Sequence, residues 1–312
     1  MFGECHAHVF MDGVNYREAV RRQERGVRED WIRHVFEQYV KNEIFYVREG
    51  GDNLGVSLKA KELAAEYGID YRSPVFAIHK NGHYGSIVGY GFDTMKEYAV
   101  LVRKAADQGA DFIKIMTTGL MDFKHGGRVT GSALSLREVK EMVHIAHEEG
   151  FSVMSHTNGD QAVRDAIESG VDSIEHGNYI SEDTVRMLAD SSSLWVPTVV
   201  TVYNLIGDGR YEDEVLKKIW EKEAENLQAA WEYGAKVVLG SDGGAYRVLH
   251  GQGLVDEYRA FQKVLGEGRI WIDGFEKTRK SFRDVSGEAR AQRGAARTLP
   301  QKASDSGQYL QL

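Results

Sequence analysis

One cysteine, Cys5, and three prolines stand in a chain of 312 residues. A lone thiol excludes an intrachain disulfide framework and suits a reducing compartment, so a cytoplasmic location is expected. Long hydrophobic runs are missing too. The richest stretch, 194–206, is broken by Pro197, Thr198, Thr201 and Asn204, whereas a membrane helix needs roughly 18 to 20 consecutive apolar residues. The opening MFGECHAHVF has neither a basic n-region nor a long apolar h-region, so no secretory signal is expected. No Lys/Arg cluster interrupts the body of the sequence, and 39 Lys and Arg against 47 Asp and Glu leave a formal net charge of −8. A phosphate-binding surface is therefore not expected, which removes nucleic acid as a partner; the short apolar runs likewise give no expectation of a membrane partner.

What is present is a globular balance of 42% hydrophobic and 28% charged residues, incompatible with disorder over most of the chain. Glycine supplies 34 residues, well above its usual share of ~7%. With proline scarce, this points to short, tight connections. Eight apolar runs alternate with amphipathic stretches: GECHAHVF (3–10), IFYVRE (44–49), SPVFAIH (73–79), DFIKIMTT (111–118), FSVMSH (151–156), DSIEH (172–176), LWVPTVVT (194–201) and KVVLGSD (236–242). Helical patterns lie between them, as in 57–68, 136–150 and 213–234, and several end at Gly, the residue that tolerates the positive φ after a helix. This alternation predicts an α/β fold, specifically a (β/α)8 TIM barrel, with an open doubly wound sheet as the alternative. Two Gly-rich connections, 80–93 and 118–134, follow the third and fourth runs, where long loops shape substrate sites. From Arg283 the text turns to RDVSGEARAQRGAARTLPQKASDSGQYLQL, so residues 1–283 are expected to form the domain and 284–312 a disordered tail.

His6 and His8 are two apart, so on an extended strand their side chains share a face, as a pair of metal ligands would; two incidental histidines would read the same. Lys114 falls inside DFIKIM, apolar enough to be buried on both faces, where an unpaired ammonium is very costly. It either snorkels to the surface or reacts with CO2 to give a carbamate whose anionic oxygens can bridge two metal ions. His156 ends FSVMSH, His176 ends DSIEH and Asp242 ends KVVLGSD. In a barrel the carboxyl ends of the strands gather into one site, so these positions converge. Arg48 and His79 also end runs, facing either a pocket or a rim salt bridge. Tyr203, after the seventh run, and His125, in the HGG loop after the fourth, are candidate substrate contacts. His34, His144, His147 and His250 are read as solvated or packing residues.

With the local texts ADFIKIMTTG, SIEHGN and VVLGSDGG, these six residues resemble the amidohydrolase superfamily, the metal-dependent (β/α)8 hydrolases. That pattern is HxH on strand 1, a carboxylated Lys on strand 4, His on strands 5 and 6, and Asp on strand 8. The resemblance covers roughly residues 3–266 and is strongest to the branch of prolidase-like enzymes, N-acyl-amino-acid hydrolases and imidazolonepropionase relatives. It implies one or two divalent metal ions, with Zn2+ suited to nitrogen and carboxylate-type ligands. His6, His8 and Asp242 would hold one ion, His156 and His176 the other, and a carbamate on Lys114 would bridge them. It also implies hydrolysis of an amide C–N bond in a small-molecule substrate such as a dipeptide or N-acyl amino acid, by metal-activated water with Asp242 as general acid/base. Arg48 would then hold a substrate carboxylate, with His79 assisting there or at the developing oxyanion. Two alternatives stay open: a lactonase or esterase on the same centre, and a metal-binding barrel without catalysis. Many members carry a small β-sandwich built before strand 1 and after the last helix; with HxH at position 6, it is expected to be absent. A homo-oligomer is left open.

Overall fold

The structure, a computed structural model, describes residues 2–124 and 127–266. Within them the alternation of apolar runs and amphipathic stretches becomes β1 (Phe2–Ala7), α1 (Tyr16–Gln23), α2 (Glu29–Lys41), β2 (Ile44–Glu49), α3 (Val56–Leu63), β3 (Asp70–Arg72), β4 (Ala77–Lys80) and β5 (Gly89–Phe92). There follow α4 (Met95–Asp107), β6 (Ile113–Met116), α5 (Leu136–Glu148), β7 (Val153–Thr157), α6 (Asp160–Glu168), β8 (Ser173–His176) and α7 (Glu182–Asp190). The series ends with β9 (Leu194–Val196), α8 (Val200–Tyr203), α9 (Asp213–Tyr233) and α10 (Gln252–Leu265). The fold is α/β, as the alternation requires. Residues 284–312, the expected tail, lie outside the described residues.

The strands form two parallel sheets, ordered β1-β2-β3 and β5-β4-β6-β7-β8-β9. Every residue of β6, β7 and β8 is buried, the pattern of parallel strands whose faces are both covered. Backbone hydrogen bonds also run between the sheets at two places. At one, Ser73 O accepts from Asp111 N at 2.8 Å and Val75 O from Asp52 N at 3.2 Å. At the other, segment 236–243 lies between β9 and β1: Val238 N donates to Trp195 O at 2.9 Å, Cys5 N to Leu239 O at 3.1 Å and Asp242 N to His6 O at 2.8 Å.

Three runs depart from their expected form for identifiable reasons. The third becomes strand only from Ala77, in β4; β3 lies just before the run, and Val75 between the two strands has a φ of 69°. The seventh stops at Val196, because Pro197 has no N–H for a ladder and restricts the residue before it. The eighth contributes only the isolated bridges Trp195–Val237 and Ala7–Gly243, since Asp242 turns out of the strand at a φ of 60°. Conversely, the Gly-rich connection 80–93 contains β5. A Cβ at Gly89 would sit 1.7 Å from Ala77 O, so the glycine is what permits β5 to pair with β4. No described helix is long and apolar enough to cross a membrane.

Candidate active site

Because all pairings are parallel, the carboxyl ends of the strands share one edge, and the ligand candidates meet there. His6, His8, Lys114, His156, His176 and Asp242 line one cavity of about 250 Å³. Asp242 Oδ1 is 3.6 Å from both His6 Nε2 and His8 Nε2, and one donor atom from each of the three lies within 4.8 Å of the others. The His6 and His176 ring centroids are 4.9 Å apart, those of His156 and His176 4.7 Å. Lys114 is 1% exposed, and its Nζ has no hydrogen-bond partner among the described residues.

Three of the four rings are fixed through one nitrogen, which leaves the other toward the cluster. His6 Nδ1 is 2.6 Å from Glu175 Oε2, His156 Nε2 donates to Gly119 O at 3.0 Å, and His176 Nδ1 is 2.7 Å from Thr198 Oγ1. His6 Nε2, His156 Nδ1 and His176 Nε2 therefore remain available, the arrangement in which a second partner orients a metal-binding imidazole. His8 is held by shape: a Cβ at Gly50 would lie 2.2 Å from its Cε1. Glu4 accepts from Ser241 N at 2.8 Å and from His6 N at 3.1 Å, tying the Asp242 turn to β1. His176 and Asp242 both sit in the left-handed region, at φ 68° and 60°. For residues with a side chain this is strained backbone, which clusters at functional sites.

Burial, with the charge of Lys114 next, pushes His6 well below the ordinary imidazole range and brings His8 and His156 to about 3. Burial and then His156 do the same for His176. All four rings are thus neutral at pH 7, the form that binds metals. Burial lowers the Lys114 amine to about 8, against the pull of Glu175 and Asp242. It raises the Asp242 carboxyl to about 7, against Lys114. The donor set fits divalent metal: neutral imidazoles, a carboxylate, and a sealed amine with nothing to bond to.

The substrate candidates fare differently. Arg48 does not reach the cavity, which corrects its expected role. Its guanidinium is buried, with Nη2 2.5 Å from Glu175 Oε1 and 2.8 Å from Ser173 Oγ, and Nε 2.9 Å from Cys5 O. Its length and charge are used inside the protein, to hold the carboxylate that orients His6. His79 is buried with Nδ1 3.0 Å from Lys80 O and is not in the cavity lining. Tyr203 is not either: its ring stacks on Trp220 at 4.7 Å and its hydroxyl accepts from Lys263 Nζ at 3.2 Å. His125 lies outside the described residues. His250, bonded to Tyr39 and Met11 O, has the packing role expected of it.

Neither Glu175 nor Arg210 stands out in the sequence. Glu175 was open to the argument applied to Lys114, since a charged residue inside a buried strand needs a partner. Arg210, in the exposed text GDGRYED, carries no comparable signal, yet it lines the cavity with Tyr211 and Tyr246.

Among solved structures, the chain is similar to a Xaa-Pro dipeptidase with bound methionine, with a TM-score of 0.72 and 19% identity over 93% of this chain and 75% of that one. It is also similar to the ochratoxinase of Aspergillus niger, with a TM-score of 0.69 and 17% identity over 85% of this chain and 67% of that one. At such identities the likeness is one of fold. Among curated sequences, the same ochratoxinase is 25% identical over 195 residues, 60% of this chain and 38% of that protein. An uncharacterized protein of Mycobacterium tuberculosis is 29% identical over 132 residues, 40% of this chain and 35% of that protein. The chain spans well under half the length of these curated relatives. Residues 5–272 match the family model of the amidohydrolases, and the chain therefore belongs to the amidohydrolase family.

Proposed function

We propose that the chain is a metal-dependent hydrolase that cleaves an amide C–N bond in a small molecule such as a dipeptide or an N-acyl amino acid. The observation that carries this reading is the convergence on one cavity of four neutral imidazoles, Asp242 and the partnerless Lys114 amine. A closed (β/α)8 barrel is the architecture of this reading, supported by the backbone bonds that run between the two sheets at two places.

In this reading His6, His8 and Asp242 would hold one ion and His156 and His176 a second, with Zn2+ the best match to the donors. Lys114 would contribute as a carbamate, its neutral amine forming an N–C bond to CO2 and losing a proton to give an anionic oxygen donor. The depressed amine pKa and the absence of a competing hydrogen bond both favour that product. Bound metal supplies an acidified water and a Lewis acid at the scissile carbonyl. The chain's own residues do the rest. Asp242 takes the proton of the attacking water on its carboxylate and delivers it to the amide nitrogen as the C–N bond breaks. Glu175, held by Arg48 and Ser173, fixes the His6 ring. Asn158 Oδ1 accepts from Asn178 N and Nδ2, at 3.1 and 2.9 Å, which stiffens the wall beside His156 and His176.

Purified protein offered dipeptides, N-acyl amino acids and lactones tests the assignment. Hydrolysis of amides in preference to lactones is expected; turnover of lactones alone would reassign the bond, and no turnover of any by metal-loaded protein would remove the catalytic reading.

A further inference from the structure

The metal cavity has a neighbour. A second cavity of about 450 Å³ opens beside it, and Arg210, Ala245 and Tyr246 line both. The two differ in charge. Among the described residues the first is lined by Asp242, Lys114 and Arg210, while the charged groups lining the second are Arg17 and Arg210 alone. Neither guanidinium has a carboxylate within ion-pair distance among the described residues. The nearby Asp208 is occupied, accepting from Arg247 Nε at 2.5 Å and from the Tyr246 hydroxyl at 3.3 Å. Arg17 Nε donates only to the Tyr16 hydroxyl, at 3.2 Å. Arg210 lies over the Tyr246 ring, its Cζ 4.3 Å from the ring centroid. Stacking of this kind orients the plane of a guanidinium and leaves its N–H edge free for a bidentate acceptor.

We propose that Arg210, flanked by Arg17, is the subsite that receives the free carboxylate of the substrate. The inference rests on the hydrolase reading for the identity of the ligand and places that ligand's two ends. The amide lies against the histidine and Asp242 end, and the carboxylate at the wall shared by the two cavities. It replaces Arg48, whose guanidinium is committed to Glu175. A bidentate contact at a fixed distance from Asp242 also sets which amide bond is presented, so substrates lacking the carboxylate lose orientation as well as affinity.

The test is binding rather than turnover, which separates it from the fate of the hydrolase reading. The probe is β-benzoylpropionate, an N-acyl amino acid analogue with a methylene in place of the scissile N–H, compared with its neutral methyl ketone. Calorimetry on metal-loaded protein should give the carboxylate about 10- to 100-fold tighter binding, the range for a charge-assisted contact. In Arg210→Gln the preference should fall to within about threefold of unity, in Arg17→Gln it should fall part of the way, and Arg210→Lys should keep part of it. A preference retained in Arg210→Gln, or absent from the unsubstituted protein, would overturn the assignment. A preference that depends on Arg210 in a protein that hydrolyses no amide would leave the anion subsite standing and remove the hydrolase reading.

Discussion

Lys114 and Arg48 are two buried cations on strands of different sheets, and they differ in whether a hydrogen-bond partner answers their charge. Arg48 is matched by Glu175, Ser173 and a backbone carbonyl; the Lys114 amine has no hydrogen-bond partner. Removing one member of a buried pair strands the other, at a cost of about 3–5 kcal/mol. Arg48→Met is accordingly expected to lower the unfolding free energy by about that much in urea titrations; a variant of unchanged stability would mean that Arg48 is not a structural cation. Lys114→Ala should lose bound metal and amide hydrolysis, with partial rescue by a short carboxylic acid that replaces the carbamate oxygens. Full metal content and activity in that variant would remove Lys114 from the centre. The six ligand candidates are legible in the sequence because each occupies a recognisable place on an apolar run. The partner of Arg48 is not, because Glu175 lies 127 residues away and nothing local encodes the pairing.

At the scale of elements, α5 illustrates how a helix start is fixed and how acid would loosen it. Ser135 caps the helix, accepting from Glu138 N at 3.4 Å, while Glu138 Oε2 accepts from Ser135 N at 2.9 Å, the reciprocal capping arrangement. Lys80, at the end of β4, reaches across to Glu138 Oε1 at 2.5 Å, so the cap also ties the helix to the sheet. The bond from Lys80, and then those from Ser135, lower the Glu138 carboxyl from its ordinary 4.5 to about 2. A carboxyl depressed in the folded state stabilises above its unfolded pKa and loses that contribution as pH falls through the folded one. Glu138→Gln should therefore cost about 1 kcal/mol near neutrality, given that the pair is partly solvated. The difference from the unsubstituted protein should narrow as pH falls from 4.5 toward 2, and a difference in melting temperature that does not change with pH would contradict the ion pair. Helix α5 is legible because a capping box precedes an apolar periodicity. Strand β5 is not: its text GYGF reads as a loop, and its glycines are there for close approach to β4, a reason that exists only in the folded chain.

Taken whole, the molecule places two strained residues, His176 and Asp242, its sealed amine and its neutral imidazoles along one edge of its parallel sheets, and its unanswered surface arginines beside them. The α/β class follows from alternation alone, since helices between parallel strands cover both faces. How the two sheets are joined is harder to read, because segment 236–243 is held by scattered bonds rather than by a regular ladder. The central claim is that the six clustered residues bind divalent metal and that amide cleavage depends on it. The most direct measurement is to strip the protein with a chelator, return Zn2+ in steps, and follow bound metal and hydrolysis of an N-acyl amino acid together. The account predicts that hydrolysis is lost on stripping, returns in proportion to bound metal, and saturates at one or two ions per chain. Undiminished hydrolysis by the metal-free protein would contradict it.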